Sequence, residues 1–159
     1  MILGANHVAI SVPDIERALK FYRDLLGFKV AFEYGWEKDS PVAPVADQII
    51  AVKGTAARSI VLRTSNLLIE LFQFHAGNPK AQDPQRPVID HGFTHLCFAV
   101  KGLDQEYQRL SAAGMKFHCS PMQIAPGVRT VYGRDPFGNV IELEEVEGRE
   151  SPAAPALPG

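Results

Sequence analysis

The sequence predicts an α+β fold built from two βαβββ modules that together make a concave mixed sheet. Three observations carry this reading. Strand-like and helix-like patterns recur in the same order in each half. The landmarks of the halves keep a near-constant offset: His7 and His95 stand 88 residues apart, as do Ile15 and Leu103, and Gly27 and Gly114 stand 87 apart. A late strand in each half carries Ile-Glu-Leu, as Ile69-Glu70-Leu71 and as Ile141-Glu142-Leu143. His7 lies 63 residues before Glu70, and His95 lies 47 before Glu142; the surplus of 16 falls in the irregular stretch 35–58. Neither half alone has much core. Packed together, they would bury their apolar faces with the helices outside, leaving an inner sheet surface as the natural place for a site.

Each element follows from its local pattern. His7 to Val12 alternates and is β-branched, which predicts a strand. Pro13-Asp14 breaks it, with Asp14 a good N-cap. Ile15, Ala18, Leu19, Tyr22 and Leu26 share one helical face, and Gly27 fits the position past the helix end. Phe28–Tyr34, Arg58–Leu62 and Leu67–Phe74 read as strands, with a turn at Thr64-Ser65-Asn66. Residues 35–58, with two prolines, read as a long loop or lid. In the second half His95–Val100 is a strand and Lys101-Gly102 a break. Leu103, Tyr107 and Leu110 give a helical face, and Gly114 a stop. Met115–Cys119, Thr130–Tyr132 and Asn139–Glu145 are the remaining strands, the last two joined across Asp135-Pro136-Phe137-Gly138.

The chain of 159 residues fits one domain over residues 1–147, with modules at about 5–75 and 93–147 and a Pro- and Gly-rich linker at 76–92. Residues 148–159 hold three prolines and little that can be buried, so a disordered tail is expected. A net charge of −2 tells against nucleic acid as a partner, because phosphate neutralisation needs a basic surplus. No apolar run approaches the roughly 20 residues that span a bilayer, and Met1–Asn6 lacks the marks of a signal peptide. Two cysteines, Cys97 and Cys119, signal no disulfide framework, and a reduced, cytoplasmic setting is expected.

The chemistry sits on the matched positions. His7 begins one strand and alternates with Ala9 and Ser11. His95 begins its counterpart and alternates with Cys97 and Ala99. Glu70 and Glu142 stand mid-strand between apolar neighbours, where a carboxylate is costly to bury unless it is paired or bound to a cation. A single strand His is commonly structural, and a single strand Glu commonly faces solvent. Two of each at matching places form a mixed N2O2 set suited to Zn, Ni, Co, Mn or Fe, so the sheet is expected to be centred on a metal. Small neighbours leave room for water and a small-molecule substrate.

Other residues are weaker candidates. Arg58, Arg63, Arg129 and Arg134 are possible anion holders, with Arg134 expected to be structural beside its turn and at least two of the four merely solvated. Phe32, Tyr34 and Trp36 are candidates to line an apolar pocket. Cys97 shares the face of His95, although a small buried hydrophobe is its commoner role. Glu144 shares the face of Glu142 and reads as a solvated strand end. His75 and His91 flank the linker and are expected to be exposed.

Asn6-His7-Val8-Ala9-Ile10-Ser11-Val12-Pro13-Asp14 and Phe21-Tyr22-Arg23-Asp24-Leu25-Leu26-Gly27-Phe28 in the first half resemble the vicinal oxygen chelate superfamily. So do Thr94-His95-Leu96-Cys97-Phe98-Ala99-Val100 and Arg134 to Leu143 in the second. That superfamily includes glyoxalase I, methylmalonyl-CoA epimerase, extradiol dioxygenases and the bleomycin and fosfomycin resistance proteins. The resemblance covers about residues 5–147 and implies paired βαβββ modules around a metal, with reactions through an enolate or a chelated oxygen anion.

In its metal pattern the sequence resembles glyoxalase I, because Glu70 adds a first-module ligand to His7, His95 and Glu142. Ring-cleaving dioxygenases need only two His and one Glu, so Glu70 tells against them. Resistance proteins of the bleomycin type usually lack the ligands. The resemblance therefore implies a metal-dependent, glyoxalase-like lyase or isomerase, with Glu142 or Glu70 shuttling a proton next to a carbonyl. The alternatives are an epimerase of acyl thioesters, an extradiol dioxygenase, and a metal-free small-molecule binding protein. It also implies a homodimer.

Overall fold

The computed structural model describes residues 1–148; the tail expected at 148–159 lies, but for Gly148, outside them. Met1–Ala81 form one compact unit, and the described residues from Gln82 onward form another. Each holds its own mixed sheet.

In the first unit, β1 (His7–Ser11) leads to α1 (Ile15–Leu19), β2 (Lys29–Trp36), α2 (Ala43–Ile50), β3 (Ala56–Arg63) and β4 (Leu68–Ala76). The strand order is β1-β4-β3-β2, with β1 parallel to β4 and the other pairs antiparallel. Asp14 caps α1 by accepting from the Arg17 amide at 3.0 Å. Gln73 of β4 pins the same turn, accepting from the Ile15 amide at 3.2 Å and donating to the Pro13 carbonyl at 3.3 Å. Ile15, Ala18, Leu19, Phe21 and Tyr22 are buried. Alternation puts the buried Ile60, Leu62, Ile69 and Leu71 on the sheet face opposite Glu70.

Two departures from the sequence reading appear here. The helix widens into a π-helical turn over Lys20–Leu25, with the Leu26 amide bonding back to the Phe21 carbonyl at 2.9 Å. The stretch 35–58, expected to be an irregular loop, finishes β2, forms α2 and opens β3. Its prolines read as breakers, but Pro44 occupies the first turn of α2, where a missing N–H costs nothing. Asp47 ties α2 to β3, accepting from the Thr55 amide at 3.0 Å and the Thr55 hydroxyl at 2.6 Å.

In the second unit, β5 (Leu96–Ala99) leads to α3 (Leu103–Ala112), β6 (Lys116–Phe117), β7 (Met122–Ala125), β8 (Val128–Arg134) and β9 (Val140–Val146). The order is β5-β9-β8-β6, with β7 also paired to β8 and β5 parallel to β9. The Glu145 carboxylate accepts from the Gly102 and Leu103 amides and so caps α3 from a neighbouring strand. Leu103, Leu110, Val131, Ile141 and Leu143 form its core. The predicted strand at 115–119 shrinks to Lys116–Phe117, and β7 is an element the sequence reading did not foresee. Within the predicted linker, Arg86 donates to the carbonyls of Asp90, His91 and Phe93, and Arg134 donates to the Arg86 carbonyl.

Candidate functional site

The parallel pairing of β1 with β4 sets Ala9 opposite Glu70, and that of β5 with β9 sets Cys97 opposite Glu142. Each His lies two residues before that partner, so alternation returns it to the carboxylate's face. The pairs meet as this geometry requires. His7 Nε2 lies 3.4 Å from Glu70 Oε2, and His95 Nε2 lies 2.9 Å from Glu142 Oε2. Glu70 is 8% exposed and Glu142 is 7% exposed, so both carboxylates are nearly withdrawn from water. On the same faces Ala9, Ser11, Cys97 and Ala99 stay exposed. The structure thus brings His7 to Glu70 and His95 to Glu142, each pair inside its own unit.

The remaining polar atoms of the four residues are held in a matched way. His7 Nδ1 lies 2.9 Å from Asn6 Oδ1, and His95 Nδ1 lies 3.0 Å from Thr94 Oγ1. With Nδ1–H donating to the Asn6 carbonyl oxygen, as the amide is assigned, a neutral His7 ring carries its lone pair on Nε2. Thr130 donates to Glu142 Oε1 at 2.6 Å, while Ser59, at 3.3 Å, and Tyr34 donate to Glu70 Oε1.

The donor chemistry fits a divalent cation. With metal–ligand bonds of about 2.0–2.2 Å, neighbouring nitrogen and oxygen ligands sit roughly 2.8–3.6 Å apart at angles between 90° and tetrahedral. Both His–Glu separations fall in that range. Each His also has its second nitrogen hydrogen-bonded, the outer support that metal-ligating imidazoles ordinarily have.

The two faces differ beyond the ligands. In the first unit Phe32, Tyr34 and Trp36 alternate along β2 beside Phe72 and Phe74 of β4, with neighbouring ring centroids 5.3–6.2 Å apart. Phe32 and Tyr34 stay about half exposed, 52% and 42%, so these rings form an open aromatic wall running up to Glu70. Withdrawal from water, then the hydrogen bond to Glu70 and its charge, push the Tyr34 hydroxyl up to about 12. In the second unit the wall is absent. Glu144 takes the place of Phe72, and Tyr132 lies against His95 with ring centroids 4.8 Å apart and the planes tilted by 49°.

Burial and then the Glu142 charge raise Glu144, so the solvated strand end expected from the sequence is instead half-buried. Cys97 is exposed rather than a buried hydrophobe; surrounding protein atoms, then the charges of Glu142 and Glu144, push its thiol up to about 12. The donor atoms of Cys97, Glu142 and Glu144 lie within 4.8 Å of one another.

Three of the four candidate arginines are engaged by other groups. Arg58 binds Glu16 and Glu33, Arg129 binds Asp104, and Arg134 holds the Gly138 and Arg86 carbonyls as a structural residue. His75 and His91 are exposed. The sequence reading did not single out Ser59, Thr130 or Tyr132. Their signal is a register: Ser59 faces Phe72 and Thr130 faces Glu144, each two residues beyond the carboxylate. No helix among the described residues is long and apolar enough to cross a membrane.

Comparison with known proteins places this geometry. The chain is 32% identical over 151 residues to an ethylmalonyl-CoA/methylmalonyl-CoA epimerase of Cereibacter sphaeroides, covering 92% of this chain and 100% of that one. It is 28% identical over 147 residues to a 2-epi-5-epi-valiolone epimerase of an Actinomyces species, covering 89% and 78%. In fold it matches a glyoxalase family protein of Bacillus cereus with a TM-score of 0.82 at 22% identity, over 93% of this chain and 97% of that one. The family model described as Glyoxalase/Bleomycin resistance protein/Dioxygenase superfamily matches residues 4–143. With nearly the whole of both units inside that match, the chain belongs to the glyoxalase, bleomycin resistance protein and dioxygenase superfamily.

Proposed function

We propose that His7, Glu70, His95 and Glu142 hold one divalent cation, one of Zn, Ni, Co, Mn or Fe, and that the chain moves a proton at the carbon next to a substrate carbonyl. The observation that carries this reading is the pair of His–Glu contacts at ligand spacing on matched strands. When bound, the cation supplies positive charge for the oxygen anion formed as the proton leaves.

The chain's own residues do the rest. Glu142 turns Oε2 from its ligand position to the substrate, takes the proton there and returns it to the same carbon, on the opposite face in an epimerisation, while Thr130 holds Oε1 in place. Glu70 is held at Oε1 by the Tyr34 and Ser59 hydroxyls, which suits a carboxylate that stays put. The aromatic wall from Phe32 to Phe74 receives the apolar part of the substrate, and the open strand face beside Ala9 and Ser11 admits its carbonyl end.

Between the enolate reactions we favour epimerisation of an acyl thioester, since the epimerase relative is matched along its whole length. The glyoxalase-type lyase is the second reading, supported by the first-module ligand Glu70. We also infer a homodimer; sedimentation at micromolar concentration checks it, and a monomer removes it without touching either His–Glu pair.

The test is exchange of the carbon-bound proton in D2O, followed by NMR. Chelator-treated protein is reloaded with each of the five metals and given a racemising acyl thioester, a hemithioacetal and a catechol in turn. Metal-dependent exchange in the thioester is the expected result, and exchange confined to the hemithioacetal selects the lyase. Oxygen-consuming ring cleavage of the catechol, or substrate binding without metal and without exchange, overturns the reading.

A further inference from the structure

A carboxylate has two oxygens, and a ligand carboxylate must present one of them in a fixed direction. In each unit the oxygen turned away from the histidine, Oε1, receives the protein's hydroxyls. Thr130 has a single proton to give and two acceptors near it, Glu142 Oε1 at 2.6 Å and the Leu143 carbonyl at 3.0 Å. The shorter contact to the charged acceptor takes it.

In the first unit the equivalent hydroxyl, Ser59, is weaker, at 3.3 Å from Glu70 Oε1. The stronger donor comes from one strand further away. Register sets Tyr34 opposite Ser59 and Ser59 opposite Phe72, so the Tyr34 side chain on β2 passes over the small Ser59 of β3 to reach Glu70 on β4. In the second unit the strand beside Thr130 offers Met122 at that register, which has no hydroxyl. Features common to both halves of a repeat belong to its scaffold; this strap belongs to one half only.

We infer that Tyr34, reaching across Ser59, and Thr130 are positioning residues that reserve Oε1 of Glu70 and of Glu142 for the protein and leave Oε2 of each facing the cation. The inference rests on the metal reading above. It assigns Tyr34 the further role of strapping Glu70 from an edge strand, across the strand that carries Ser59.

The test uses Co2+ alone, titrated into chelator-treated full-length protein, with affinity and the visible absorption of the bound ion as readouts. Tyr34→Phe and Thr130→Val are each expected to weaken Co2+ binding by about 10-fold or more, to alter the absorption bands, and to leave the far-UV spectrum and the metal-free melting temperature unchanged. Thr130→Ser restores the hydroxyl and is expected to restore both affinity and bands. Ser59→Val is expected to act like Tyr34→Phe by obstructing the ring. If wild type binds Co2+ and Tyr34→Phe and Thr130→Val match it in affinity and spectrum, the positioning roles fall while the metal centre stands. If wild type binds no Co2+, both fall together. Failure of Thr130→Ser to recover what Thr130→Val loses assigns Thr130 to packing and removes its role.

Discussion

A single methyl group is enough to disturb the turn that delivers β9. Gly138 has φ of 93°, and a Cβ built there would lie 2.3 Å from Pro84 Cα. Asp135 organises the same turn by accepting from the Phe137 and Asn139 amides at 2.8 Å each. Gly138→Ala is therefore expected to cost more than about 1 kcal/mol, measured by denaturant unfolding. A wild-type midpoint for that variant would show that the turn gives way freely. Four residues further on, Glu142→Gln is expected to slow proton exchange by about 100- to 10,000-fold, since an amide cannot take up the proton. Glu70→Gln is expected to act first on metal affinity. Equal losses of exchange at unchanged metal content would end the division of labour between them. The His7–Glu70 and His95–Glu142 pairs were legible because the duplication presents the pattern twice, at matching spacing. Ser59 and Thr130 were not: small hydroxyls on strands are common, and only the cross-strand register, a tertiary fact, places them on the carboxylates.

Among the elements, α2 is the insertion that separates the two halves of the repeat, and its anchor is a charge. Asp47 accepts the Thr55 hydroxyl, the Thr55 amide and the Gly54 amide, and these bonds, the hydroxyl first, hold its carboxyl below the ordinary 3.8. A carboxyl lowered in the folded state stabilises above its unfolded value, and that contribution is lost as pH falls through the folded one. Amide exchange at Gly54 and Thr55, taken relative to the unfolded chain at the same pH, should therefore accelerate below about pH 4, the ordinary carboxyl range. In Asp47→Asn it should be faster at neutral pH and show no such acid limb. An acid limb retained in Asp47→Asn would assign it to another group. Strand β1 was readable from alternation, and its residues alternate between exposed and half-buried. Three features were not. The π-helical turn after α1, in which Phe21 and Tyr22 are buried, has no local signature. Helix α2 was hidden by prolines at its start. Strand β7 is exposed on every residue and exists through pairing with β8 alone.

On the scale of the whole chain, the proposed centre has to offset a debt of charge. Two carboxylates less than 10% exposed, each beside an imidazole, place two negative charges where water solvates them poorly. The histidines offset this only when protonated, whereas a dication offsets both at once. The cation binds the folded arrangement and not the unfolded chain, so it must add to stability. At about 100 times its dissociation constant the gain is about 2.7 kcal/mol, a rise in melting temperature on the order of 5–10 °C for a chain of this size. The alanine variants of His7, Glu70, His95 and Glu142 are expected to fold, because the core residues Ile69, Leu71, Ile141 and Leu143 alternate to the opposite faces. Each should lose most of the metal-induced rise. The pattern across the halves carries the decisive information. If one cation is shared by all four residues, metal analysis gives one ion per chain and a variant in either half abolishes it. If each His–Glu pair holds its own ion, a variant in one half leaves half of the metal and the ion of the other half in place. If wild type and all four variants shift equally, or none shifts under saturating Zn, Mn, Fe, Co and Ni, the matched His–Glu pairs are a structural remnant of the repeat, and the metal-dependent reading goes with them.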